Sequence, residues 1–100
     1  MQELLDRDLD LDAVFAASDL MAAGAMALLT AHGYRVPQDV AVGGFDDAGL
    51  AASLHPALTT IRQPFERISR EMVRLLLDVI DGGPPAAITL PPTLVVRSST

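Results

Sequence analysis

Two acidic residues follow an apolar run. Val40-Ala41-Val42-Gly43-Gly44-Phe45 leads directly into Asp46-Asp47. In an open parallel sheet, ligands bind just past the carboxyl ends of the strands. An ionised carboxylate there accepts hydrogen bonds from vicinal hydroxyls or ring N–H groups. Asp46 is therefore a candidate binding residue. Ser18, after an earlier apolar run, would occupy the same edge of the sheet. Phe15, inside that run, offers an aromatic surface to the apolar face of a ring, or else turns into the core. For each aspartate the alternative is helix capping or a solvated turn.

Catalysis finds little support. Paired carboxylates can do acid–base chemistry when their pKa values are split, but neighbours on a chain rarely point into one site. No other acid, nucleophile or metal-binding set accompanies them, and HxxxH, GxSxG, P-loop and GxGxxG are all absent. His32 and His55 read as surface or capping residues. Without cysteine there is no disulfide framework, thiolate metal site or thiol nucleophile. The expectation is a non-enzyme with neither metal nor cofactor.

The elements that would carry these residues alternate between strand and helix. Residues 13–17 form a short apolar run without alternation, as in a strand buried on both faces. Ser18 or Asp19 can cap the next helix, 20–31, which holds no charged residue and stops at Gly33, with Pro37 beyond. Residues 40–45 read as a second buried strand, 48–54 as a short helix or irregular turn, and 58–61 as a third strand. Pro64 suits the first turn of a helix over 65–81. There Phe65, Ile68, Met72, Leu75, Leu76 and Val79 recur at spacings of three and four. Glu66–Arg70, Arg67–Glu71 and Arg74–Asp78 are opposite charges one turn apart, worth about 0.2–0.5 kcal/mol each. Gly82 ends this helix. Two β-prone pieces, 87–90 and 93–97, close the chain around Pro91-Pro92. This order predicts an α/β fold with a mostly parallel sheet and flanking helices.

The helix over 20–31 is apolar all round, so it should be buried on more than one side. One side would cover the sheet. The other suits either a subunit interface, where small residues permit close approach, or the core of a larger domain.

Composition bounds the partners. The chain has 100 residues, half of them hydrophobic, with a formal net charge of −6 and a mean hydropathy of +0.34. That fits one core-forming domain. All seven basic residues are arginine. Residues 1–12 form an acidic leader, with Glu3, Asp6, Asp8, Asp10 and Asp12 against Arg7 alone. It reads as a solvated helix or loop. Such a balance is a poor match for a phosphate backbone. No apolar run is long enough for a membrane helix, and no signal-peptide pattern opens the chain, so no membrane partner and a cytoplasmic location are expected.

Four motifs, taken in order, resemble the effector-binding domain of lactose-repressor (LacI/GalR) transcription factors. They are Ser18-Asp19 with Met21-Ala22 and Gly24; Val36-Pro37-Gln38-Asp39-Val40 leading to Gly44-Phe45-Asp46-Asp47; Pro56-Ala57-Leu58-Thr59-Thr60-Ile61-Arg62-Gln63-Pro64; and Leu90-Pro91 running to Arg97-Ser98-Ser99-Thr100. The resemblance spans about residues 12–100 and implies part of a periplasmic-binding-protein-like (type I) fold, whose two lobes clamp a small effector, often a sugar or nucleobase. It implies that Phe15, Ser18, Asp46 and Gln63 bind that effector. It further implies that Leu20, Met21, Gly24, Ala25 and Leu28 lie in a homodimer interface. Ser18 stands where many members carry asparagine, which shortens the side chain. Ser69 and Met72 replace residues that are usually glycine and alanine. By the same resemblance residues 13–100 would be the C-terminal part of the domain. Operator DNA would be reached through an N-terminal helix-turn-helix that this stretch lacks, and the helix over 65–81 would pack on a first lobe. The alternatives are a fragment of a transporter's sugar-binding protein, or a dimerisation module without ligand.

Overall fold

The computed structural model describes residues 1–7 and 10–100. The part of the acidic leader that includes Asp8 lies outside them. The described chain divides into two compact units, Met1–Arg62 with Thr93–Thr100, and Gln63–Pro92.

The first unit is an α/β sheet, with strands β1 (Ala13–Phe15), β2 (Ala41–Asp46), β3 (Thr59–Arg62) and β4 (Thr93–Val95). They lie in the order β1-β2-β3-β4. The first three are parallel and β4 is antiparallel to β3. Parallel neighbours need a crossover, and helix α2 (Asp19–Ala31) supplies it between β1 and β2. A short helix α1 (Gln2–Asp6) precedes β1. Its Glu3 and Asp6 are exposed, while Met1 and Leu5 pack on the core.

That core is Ala16, Ala22, Met26, Leu29, Val40, Val42, Ala51 and Leu58. It forms because α2 turns Ala22, Met26 and Leu29 towards β2 at spacings of four and three. Ser18 caps α2, its Oγ accepting the Met21 N–H at 3.3 Å. At the other end Gly33 takes φ +86, open to glycine without a Cβ penalty. The Tyr34 N–H then reaches Leu29 O and the Gly33 N–H reaches Thr30 O, each at 3.0 Å, closing the helix in a Schellman motif. His32 adds a cap, with Nδ1 2.9 Å from Leu28 O.

α2 buries one face within this chain and leaves Leu20 and Met21 exposed. Two expectations are corrected. β1 is not buried on both faces: it is an edge strand with one neighbour, and Phe15 is 67% exposed. Residues 87–90 form no strand, since the prolines at 84, 85, 91 and 92 around them have no N–H to give a ladder. The closing strand itself is short, because beyond Val95 the tail bonds through Arg97 and Ser99 instead. The turn over 48–54 contains a single 3₁₀ turn, Ala51–Ser53.

The second unit is built on helix α3 (Phe65–Ile80), which buries no residue fully. Ile68 and Leu75, with Met72, line a hollow of about 260 Å³ shared with Ile88 and Leu90. Phe65, Met72, Val73, Leu76, Leu77 and Ile80 are exposed. Glu66–Arg70 pairs as the spacing predicts, at 2.8 Å. Arg74 takes both Asp78 at 3.1 Å and Glu71 at 2.8 Å, where Arg67 was the expected partner of Glu71.

Candidate functional site

β2 is the central feature of the candidate site. Gly44 lies in its middle, buried. A Cβ there would overlap Asp19 Oδ1 and come within 2.8 Å of Leu58 Cδ2. The missing side chain lets the start of α2 approach the sheet. Asp19, only 1% exposed, uses that approach. It accepts the Ala48 N–H at 2.6 Å and the Thr60 hydroxyl at 2.5 Å. One carboxylate therefore joins α2, β3 and the loop after β2.

At the carboxyl end of β2 the backbone turns into the left-handed region at two successive residues, Asp46 (φ 104) and Asp47 (φ 55). Both are half-buried. Non-glycine residues held there carry strain of order 1–3 kcal/mol, and such positions cluster at functional sites. Asp47 Oδ2 accepts Arg62 Nε–H at 2.6 Å, and its Oδ1 accepts Arg97 Nη2–H at 2.7 Å. These bonds, first from Arg97 and then from Arg62, hold the Asp47 carboxyl below its ordinary pKa.

The sequence-predicted residues fall as follows. Phe15 ends β1, and its ring meets Phe45 edge-on at 6.5 Å. Ser18 is the N-cap of α2. Asp46 ends β2, in register with Arg62 of β3. Phe15, Ser18 and Asp46 thus lie at or just after the carboxyl ends of the neighbouring parallel strands β1 and β2. Gln63 opens the second unit. Of the interface candidates, Leu20, Met21 and Gly24 are exposed and Leu28 is half-buried. Ala25 is buried and lines an apolar groove of about 310 Å³ with Met1, Leu4, Val14, Phe15 and Met21.

Sequence reasoning missed Asp19, which it read only as an alternative cap, and the roles of Arg62, Arg97 and Ser99. Ser99 is fully buried. Its Oγ accepts the Thr59 N–H at 2.8 Å and donates to Val42 O at 2.6 Å. The signal was in the Arg97-Ser98-Ser99-Thr100 motif, but nothing local shows that this tail runs back to β2 and β3.

The family model for the periplasmic binding protein-like domain matches residues 1–100. The HTH-type transcriptional regulator CelR of Thermobifida fusca is 52% identical over 101 residues, which cover 99% of this chain and 30% of CelR. A solved CelR–cellobiose complex matches with a TM-score of 0.95 at 50% identity, over 99% of this chain and 31% of that one. A lac repressor dimer bound to operator and the anti-inducer ONPF matches with a TM-score of 0.90 at 35% identity, over 98% of this chain and 35% of that one. The chain thus spans about a third of the length of these relatives. They are transcription regulators. No helix among the described residues is long and apolar enough to cross a membrane.

Proposed function

We propose, for a chain that belongs to the periplasmic binding protein-like domain family in the form carried by LacI-type transcription regulators, that it is the C-terminal part of an effector-binding and dimerising domain. The observation that carries this reading is the left-handed backbone at Asp46, at the carboxyl end of the central parallel strand. The effector is a hydroxyl-rich small molecule of the sugar class. CelR, half of whose aligned positions are identical, has been solved with cellobiose.

In this reading the Asp46 carboxylate accepts hydrogen bonds from effector hydroxyls. Ser18 lends its hydroxyl. The exposed ring of Phe15 covers an apolar sugar face. Each of these groups binds; none is asked to make or break a bond, so the protein is not an enzyme. Operator DNA is contacted by the helix-turn-helix of the whole regulator. The net charge of −6 argues against a phosphate contact by this stretch. The working location is the cytoplasm.

The homodimer forms through the exposed side of α2, where Leu20 and Met21 present large apolar side chains and Gly24 and Leu28 continue the same face.

Calorimetry with cellobiose and a panel of other sugars tests the effector. Asp46→Ala is expected to abolish the heat of binding, and unchanged affinity would remove Asp46 from the site. Light scattering tests the pairing. A dimer that Leu20→Glu with Met21→Glu converts to a monomer is expected; a wild-type monomer at high concentration refutes it. A salt-sensitive gel shift by this chain alone would refute the absence of DNA contact.

A further inference from the structure

The turn that follows β2 is anchored from three directions. Arg62, at the end of β3, and Arg97, in the tail after β4, each take one oxygen of Asp47. Asp19, at the start of α2, takes the Ala48 N–H. Arg97 is itself fixed: its Nη1 donates to Leu58 O at 2.8 Å, and its backbone N–H donates to Thr59 Oγ1 at 2.8 Å. Its side chain is 17% exposed, against 56% for Arg62. Residues 47 and 48 are therefore tied to β3, to the tail after β4 and to α2.

Asp46 stands immediately before this anchored pair, at φ 104. For a residue with a Cβ that region is costly, and the chain left to itself would relax to an extended or helical conformation. The strained conformation persists only where the surroundings over-determine it. The bonds to Asp47 and Ala48 are what over-determine it. Both oxygens of Asp47 serve arginines.

We infer that Asp47, Arg62 and Arg97 are positioning residues: together they hold the left-handed backbone of Asp46 and so set the direction of its carboxylate towards the effector. This rests on the proposed effector role of Asp46. Arg97 is the member that a conservative change should not replace. Its planar guanidinium bonds Asp47 and Leu58 O at once, which the single ammonium of lysine does not reproduce.

The test is nuclear magnetic resonance on the 100-residue chain, reading the three-bond HN–Hα coupling of Asp46 together with its intraresidue HN–Hα NOE, which is strong at positive φ and weaker at the negative φ of extended or helical backbone. Wild type should combine a small coupling with a strong NOE at φ 104. In Arg97→Lys and Asp47→Asn that NOE should weaken, with the coupling rising where the residue relaxes to extended backbone, while the amides of β2 and β3 stay protected. Arg62→Gln, at a mostly exposed side chain, should show a smaller change and carries the test if the other variants fail to fold. Added cellobiose should shift the Asp46 resonances in wild type, and several-fold less in each variant. Variants that lose thermal stability yet keep both the wild-type coupling and the strong HN–Hα NOE at Asp46 would overturn the inference, leaving the arginines merely structural. If the NOE weakens as expected but cellobiose moves wild type and Asp46→Ala alike, the hold on the backbone stands and the effector role of Asp46 is what has failed.

Discussion

Replacing Asp19 with alanine removes the acceptor for two donors at once. The carboxylate is 1% exposed and receives the Ala48 N–H at 2.6 Å and the Thr60 hydroxyl at 2.5 Å. A hydrogen bond to a charged group contributes about 1.5–3 kcal/mol, and an unpaired buried partner costs a similar amount. An acid in the first helical turn adds about 0.3–1 kcal/mol through the helix dipole. The two bonds share one group, so their losses do not add fully. Asp19→Ala is therefore expected to cost about 3–5 kcal/mol, against about 5–15 kcal/mol for a whole domain.

Asp19→Asn sharpens the argument. The amide oxygen still accepts the Ala48 N–H, and the amide N–H₂ donates to a Thr60 hydroxyl that can rotate to accept. Only the charge is lost, so the cost should fall to about 1–2 kcal/mol. Thr60→Val removes one donor, and its cycle with Asp19→Ala should show a coupling of about 1 kcal/mol or more. Urea unfolding followed by far-ultraviolet circular dichroism measures all five proteins, the double variant and wild type included. A cost for Asp19→Ala below about 1 kcal/mol, or equal costs for alanine and asparagine, would refute the account of this carboxylate as a shared acceptor.

Two further outcomes follow from neighbouring geometry. Gly44→Ala should destabilise by about 1–3 kcal/mol, because its Cβ meets Asp19 Oδ1 and Leu58 Cδ2. Gly43→Ala, whose Cβ would sit 3.5 Å from Phe15 Cδ2, should cost under about 1 kcal/mol in the same unfolding assay. Asp47 has its carboxyl held below the ordinary 3.8 by Arg97 and Arg62. Its contribution is thus fully present above that value and is lost as pH falls through the depressed one. Asp39, held at about 2 by hydrogen bonds from Arg35, acts in the same sense. Melting temperatures followed from about pH 6 to about pH 2 should therefore fall less steeply for Asp47→Asn than for wild type. Identical slopes would count against the ion cluster.

Much of the architecture can be read along the chain. The helix over 20–31 was legible because an uninterrupted apolar stretch lies between a serine that caps it and a glycine that closes it. The helix over 65–81 was legible from its three-and-four periodicity. The reading failed where composition alone was used. The run ending in Phe15 is a strand but lies on an edge and not inside the sheet, and 87–90, between prolines, forms no strand. Which strand is central and which is at the edge depends on sheet order, which no short window contains. Asp46 was singled out by its place after a strand, but its reversed backbone was invisible, since it depends on what its neighbours bind.

The division between the two kinds of information follows sequence distance. Caps, left-handed glycines, apolar periodicity and charge pairs on α3 act over three to five residues, so their outcome was written in the local order of residue types. The same holds for the motifs that carry the family resemblance. The site is joined by contacts of another range: Asp19 reaches Ala48 and Thr60 across 29 and 41 positions, Arg97 reaches Asp47 across 50, and Ser99 reaches Val42 across 57. Asp19 and Asp47 look like ordinary capping or turn acids in the sequence. They become acceptors for distant donors, Asp19 buried and Asp47 half-buried, because parallel strands bring those donors to one end of the sheet, where a charge withdrawn from water persists only if it is bonded.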